Sequence, residues 1–292
     1  MAMFRFERYY EPKSADECVE ILKKYGTDAR MVAGGTDLVP KLKNRVLKVK
    51  TVIGLQSVPE IKGIKKTTDG IEIGALTTLR VISKSEEVKE NWLALAEAAG
   101  HVSSMQIRNM ATIGGNACNA SPSADAVQGL IVSDAIVNIV GENGTRTVPV
   151  IDFFTGVGKT VLKEGEFVIS FTIPAPKANT GATYQKFAIR GDTDITIVGA
   201  GSSITLDADG KVEKAIVSLA AVAPTPIRVE AVEKLITGKF LTEDLIEEAG
   251  ELAADSCNPI TDQRATKEYR VEMVKVWTKN ALREALKRAK QA

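Results

Sequence analysis

Two glycine pairs, eighty residues apart, constrain this chain more than any other feature. Gly34-Gly35 lies in the run Met31, Val32, Ala33, Gly34, Gly35, Thr36, Asp37, Leu38. Gly114-Gly115 lies in the run Ala111, Thr112, Ile113, Gly114, Gly115, Asn116. Each pair follows a short apolar stretch and leads into polar residues. Lacking Cβ, glycine takes φ > 0 easily and lets a turn aim successive N–H groups at an anion. Two such turns from distant parts of a chain can close on one diphosphate. The pattern therefore marks a candidate nucleotide-cofactor protein.

Composition narrows the class. A chain of 292 residues makes one large or two ordinary domains. An apolar fraction of 44% suffices for a buried core. No run reaches the ~18 apolar residues that span a bilayer, and the start, Met1 to Arg8, lacks the apolar stretch of a secretory leader. With 38 basic and 37 acidic residues, no net field favours nucleic acid or an anionic membrane. Lys279, Arg283, Lys287, Arg288 and Lys290 read as the solvated face of a helix. Cys18, Cys118 and Cys257 are scattered and form no C-x-x-C pair, which fits a reducing cytoplasm. Three cysteines do not supply the four thiolates an iron–sulfur cluster normally takes. His101 is the single histidine, which excludes a multi-histidine metal site and disfavours a histidine-based triad. No metal site is expected on this chain, so redox chemistry here needs an organic cofactor.

The periodicity predicts an α+β protein. Ser14 and Glu17 fit a capping box, Cys18, Ile21, Leu22 and Tyr25 share one helical face, and Gly26 ends that helix. Strands are expected at 29–33 and 49–55, with a short helix carrying Pro40 between them. A short strand at 71–73 and helices at 79–82 and 92–99 follow. The stretch 105–125 is rich in Asn, Ser, Thr and Gly and shows little periodicity, so it reads as a long functional loop. A helix at 126–132, a hairpin around Glu142-Asn143-Gly144 and a strand at 167–173 come next. After a linker at 174–181, three strands (182–189, 195–206, 212–222) precede three helices at 229–236, 242–254 and about 266–289. Val271, Val274, Trp277, Ala281 and Ala285 mark the buried stripe of the last helix. The expected division is an α+β N-terminal domain at 1–178, in parts at about 1–57 and 58–178, and a smaller domain at 179–292.

Two other glycine motifs fail on spacing. Gly199-Ala200-Gly201 lacks the third glycine of a dinucleotide fingerprint and sits inside a strand pattern. Gly156-Val157-Gly158-Lys159-Thr160 has Phe153 where a phosphate loop needs glycine. Asp37 and Asp125 flank the glycine-rich segments. Repelled by a diphosphate, they suit ribose or ribityl hydroxyls; the alternative is that each caps the helix after it. His101, after Gly100, reads as a helix-end or surface residue.

The runs 33–38 and 106–116, together with Ala120-Ser121-Pro122-Ser123-Ala124-Asp125, resemble the FAD-binding subunits of molybdenum hydroxylases. The resemblance covers nearly the whole chain. Phe154 to Lys159, Val222 to Arg228 and Arg264 to Arg270 strengthen it toward the bacterial xanthine dehydrogenase type. It implies a two-part FAD domain of the vanillyl-alcohol-oxidase type, followed by a small α+β domain. It implies FAD diphosphate and ribityl contacts from Met31–Leu38 and Thr112–Asn116, with Ala111 beside them. It further implies a polar contact from Asp125, an apolar flavin contact from Ile169, and Lys186 near the isoalloxazine, where a cation raises the flavin potential. The competing role for Lys186 is an ion pair with Asp192 or Asp194. No side chain is expected to act as a catalytic residue, because the flavin does the chemistry. The implied partners are a molybdopterin-binding large subunit and a [2Fe-2S] small subunit, in a dimer of heterotrimers, with NAD⁺ as acceptor. The implied reaction is purine hydroxylation; the alternatives are carbon monoxide, nicotinate or aldehyde oxidation, or a stand-alone flavin reductase of the same fold.

Overall fold

The computed structural model describes residues 6–191 and 193–292. The chain opens with β1 (Arg8–Tyr10), α1 (Ala15–Tyr25), β2 (Ala29–Val32), α2 (Leu38–Lys43) and β3 (Thr51–Gly54). Ser14 caps α1, its hydroxyl accepting from the Glu17 N–H at 3.2 Å. The Glu17 carboxylate reaches back to the Lys13 N–H at 2.7 Å, one residue before the position a capping box predicts. Gly26, at φ 48°, ends the helix. The three strands form a parallel sheet in the order β1-β3-β2. Central β3 is buried throughout, which explains its Val-Ile core.

The second part contains β4 (Ile64–Thr67), β5 (Gly70–Gly74), six helices and five strands. The helices are α3 (Leu79–Lys84), α4 (Glu86–Asn91), α5 (Leu93–Gly100), α6 (Met105–Arg108), α7 (Ile113–Asn119) and α8 (Asp125–Val132). The strands are β6 (Ile136–Gly141), β7 (Gly144–Pro149), β8 (Phe154–Gly156), β9 (Lys159–Thr160) and β10 (Phe167–Pro174). An antiparallel sheet runs β4-β5-β10-β6-β7. The predicted β6–β7 hairpin forms, and Gly156 to Lys159 make the tight β8–β9 turn rather than a phosphate loop. The stretch 105–125 is not one loop, since α6 and α7 lie within it. Helices of four and seven residues are too short to show a 3.6-residue period. Every residue of α8 is buried, and Gly129 lets α8 press against the backbone of α5.

The remaining chain adds β11 (Thr180–Phe187), β12 (Val198–Leu206), β13 (Val212–Ala220), β14 (Ile227–Arg228), α9 (Glu230–Ile236), α10 (Glu243–Asp255) and α11 (Lys267–Ala289). Its antiparallel sheet runs β11-β12-β13-β14, the two-residue β14 being an addition to the three predicted strands. Helix α11 lies along β11 and β12, while α5 and α8 of the second part also pack on this sheet. Ile216 of β13 consequently belongs to the core of the second part. Gly199 and Gly201 are close-packing positions: a Cβ on Gly199 would sit 2.4 Å from the Tyr184 hydroxyl. Glu97 of α5 ties the parts together, pairing with Arg288 of α11 at 2.7 Å and accepting from the Tyr184 N–H at 3.0 Å.

Candidate functional site

A cleft of about 680 Å³ opens between the first two parts, a size suited to an organic cofactor. Its wall includes Met31, Ala33, Gly34, Gly35, Thr36, Asp37, Leu38, Ala111, Thr112, Gly114, Gly115, Asn116 and Asp125. The two glycine segments therefore do face one space. Four expected residues are not on that wall. Val32 packs with Leu42, Val49 and Val52, and Ile113 is fully buried in the main core. Ile169 packs with the core of the first part, leaving its neighbours Phe167 and Val168 to face the cleft. Lys186 lies behind Asp125.

The two glycine pairs work differently. Gly35 sits at φ 72°, and the N–H groups of Gly34, Gly35, Thr36 and Asp37 have no protein acceptor among the described residues. Consecutive free N–H groups around a left-handed residue form an anion-binding concavity. Gly114-Gly115 is not a turn; it is the first turn of α7, capped by the Thr112 hydroxyl. The N–H groups there are already bound: Ile113 to the Thr77 carbonyl at 3.0 Å, Gly114 to the Ala75 carbonyl at 2.9 Å and Gly115 to Thr112 Oγ1 at 3.1 Å. These glycines serve close approach instead. A Cβ on Gly114 would lie 2.6 Å from Ala75 Cβ, and one on Gly115 would lie 2.9 Å from Thr112 Oγ1, the cap of its own helix. On the opposite loop, a Cβ on Gly34 would lie 1.9 Å from the Met110 carbonyl oxygen. A bridge also joins α2 and α7: the Lys41 ammonium donates to Asn119 Oδ1 at 2.8 Å, and Asn119 Nδ2 donates to Asp37 at 3.1 Å. Asn116 lines the cleft, and its buried Oδ1 has no partner among the described residues.

Neither aspartate caps a helix. Asp37 occupies the N-cap position of α2 without a side-chain capping bond. Desolvation by its surroundings pushes its carboxyl above the usual range, and Lys41 opposes this. Asp125 is the first residue of α8 and is 5% exposed. Its Oδ1 accepts from the Tyr184 hydroxyl at 2.6 Å and the Thr196 hydroxyl at 2.5 Å, and its Oδ2 accepts from the Lys186 ammonium at 2.9 Å. Lys186 also donates to the carbonyls of His101 at 3.1 Å and Asp194 at 2.8 Å. Its ion pair is thus with Asp125; the Asp194 carboxylate pairs with Arg190, and Asp192 lies outside the described residues. Sequence reasoning missed Tyr184 and Thr196. The available signal was strand alternation, which puts Tyr184 on the same face as Lys186. Burial, then the Asp125 charge, pushes the Tyr184 phenol well above its ordinary value, so it stays a donor. His101 follows α5 as its C-cap; burial lowers its pKa, with Asp125 opposing.

Residues 3–176 match the model of the FAD binding domain in molybdopterin dehydrogenase, and residues 182–285 match the CO dehydrogenase flavoprotein C-terminal domain. This chain belongs to the FAD-binding subunits of the molybdenum hydroxylases. It is 30% identical over 286 residues to the xanthine dehydrogenase FAD-binding subunit of Escherichia coli O157:H7, covering 97% of each chain. It is 33% identical to the carbon monoxide dehydrogenase medium chain of Hydrogenophaga pseudoflava, covering 96% of this chain and 97% of that one. Its fold superposes on reconstituted CO dehydrogenase from Oligotropha carboxidovorans with a TM-score of 0.94 at 31% identity, covering 99% of this chain and 100% of that chain. The subunit thus has the two-part FAD-binding domain followed by the C-terminal domain that its sequence leads one to expect, and it is part of an oxidoreductase. The cleft suits FAD on its own terms: free N–H groups at Gly34–Asp37 for a diphosphate and the orphaned Asn116 Oδ1 for a hydroxyl donor. Among the described residues, no helix is long and apolar enough to cross a membrane.

Proposed function

We propose that this subunit binds FAD in the cleft and forms the electron exit of a three-subunit molybdenum hydroxylase acting on a purine, xanthine or hypoxanthine, with NAD⁺ as acceptor. FAD supplies the step between one-electron transfer from [2Fe-2S] clusters on a small subunit and two-electron hydride transfer. The large subunit carries molybdopterin and the substrate site, and the assembly is a dimer of heterotrimers in the cytoplasm. The single observation that carries the cofactor reading is the run of unpaired N–H groups from Gly34 to Asp37, facing a cleft that Asn116 and Asp125 also line.

The chain's own residues bind and orient. Residues 34–37 hold the diphosphate, Asn116 accepts from a ribityl or ribose hydroxyl, and Thr112, Gly114 and Gly115 keep α7 close enough to close the cleft. Phe167 and Val168, rather than Ile169, present apolar surface there. Lys186 neutralises Asp125. The purine reading draws on the 30% identity to the xanthine dehydrogenase subunit. A second reading, carbon monoxide as substrate, draws on the 33% identity to a carbon monoxide dehydrogenase medium chain.

Gentle purification of the native complex, followed by flavin, metal and mass analysis, tests the assembly. Bound FAD, molybdenum with a large subunit, and xanthine-dependent NAD⁺ reduction are the expected results. CO-dependent dye reduction without xanthine activity would establish the second reading. A full-length chain that is colourless and takes up no FAD would overturn the cofactor assignment.

A further inference from the structure

Asp125 stands at the start of α8, yet the three side chains bonded to its carboxylate all come from the C-terminal sheet and the segment joining its first two strands. They are Tyr184, Lys186 and Thr196. An ionised carboxylate offers about four lone-pair positions. Two on Oδ1 are taken by the hydroxyls and one on Oδ2 by Lys186, which leaves one acceptor position on a residue that lines the cleft. Lys186 has no donor to spare, because its three protons match Asp125 and the carbonyls of His101 and Asp194. Lys186 therefore reaches a ligand only through Asp125. Tyr184 is itself held: its N–H donates to Glu97 at 3.0 Å, and Glu97 is held by Arg288 of α11 at 2.7 Å.

We propose that Tyr184 and Thr196 are positioning residues for cofactor binding: they fix the rotation of the Asp125 carboxylate so that its free lone pair meets a hydroxyl or imide N–H of the bound FAD. The C-terminal sheet thereby holds a side chain of a site walled mainly by the N-terminal half, with Asp194 and Ile195 at its edge. Hydroxyl bonds to a charged carboxylate are about twice as strong as neutral ones. Two of them on one oxygen leave the group little rotational freedom. This inference rests on the FAD reading of the cleft.

FAD dissociation constants of the full chain, measured by quenching of flavin fluorescence alongside the melting temperature of the apo-protein, test it. Tyr184→Phe and Thr196→Val should each weaken FAD binding by about tenfold, while Thr196→Ser should restore wild-type affinity. In an Asp125→Asn background, Tyr184→Phe should cause no further loss, because its effect passes through the carboxylate. Wild-type affinity in both Tyr184→Phe and Thr196→Val, or an undiminished Tyr184→Phe effect beside Asp125→Asn, would overturn the proposal and leave the FAD reading intact. If Tyr184→Phe does not fold, the Thr196→Val and Thr196→Ser pair decides by the same criterion. A wild-type chain that binds no FAD would overturn both.

Discussion

Gly34 shows how a single atom can hold a site open. An added Cβ would fall 1.9 Å from the Met110 carbonyl oxygen, and a backbone atom cannot swing aside as a side-chain tip can. Gly34→Ala should therefore cost about 1–3 kcal/mol and also force the two cleft loops apart. The expected outcome is a lower melting temperature and loss of FAD uptake, read by calorimetry and flavin absorbance. Gly35 differs, since nothing lies closer than 3.2 Å to its missing Cβ; its φ of 72° is what favours glycine. Both glycine pairs are conspicuous in the sequence, because the doublets stand out from their apolar flanks. Their separate jobs are not. Only the paired N–H groups of α7 show that the second doublet serves packing rather than direct anion contact. Asp125 was legible as a polar residue near the site, whereas its partners Tyr184 and Thr196 lie 59 and 71 residues away in sequence.

At the scale of elements, α5 and α8 pack on each other and both rest on the C-terminal sheet. Gly129 of α8 faces the backbone of Leu95, where a Cβ would lie 2.7 Å from Leu95 Cα and 2.9 Å from Ala98 Cβ. Gly129→Ala should destabilise the protein by about 1–3 kcal/mol through overpacking, measured as a shift in urea midpoint. Gly100, at the end of α5, meets nothing closer than Ser83 Cβ at 3.8 Å. Gly100→Ala is the matched control and should be neutral or stabilising by up to about 1 kcal/mol. If the two substitutions have equal effects, the close approach of the helices is not what Gly129 provides. Elements with long regular patterns, such as α1, α11 and the β6–β7 hairpin, are readable from sequence. The short α6 and α7 and the two-residue β14 are not, because tertiary neighbours fix them: Thr77 and Ala75 supply the acceptors that start α7.

Across the whole molecule, α11 is anchored to the C-terminal sheet by a partly buried charge cluster. Arg270, 2% exposed, donates to the Ile197 carbonyl at 2.6 Å and to Asp262 at 2.9 Å. Burial pushes the Asp262 carboxyl up, but bonds from the Arg264 N–H and the side chains of Arg270 and Arg264 outweigh it and hold the pKa at about 2. A carboxyl lowered on folding stabilises the native state above its unfolded pKa, near 4, and loses that contribution as pH falls toward 2. Asp262→Asn should therefore lower the urea midpoint at pH 7 and reduce the further drop between pH 4 and pH 2.5. An unchanged acid limb would show that other carboxylates govern it. Family, α+β class and the place of the glycine segments are readable from the chain alone, because they rest on local pattern and on motifs that survive at 30% identity. Which N–H groups are free, which residues stand on the cleft wall and which cation pairs with Asp125 follow from the folded chain. Those are matters of distance between groups far apart in the chain, and no local periodicity encodes them.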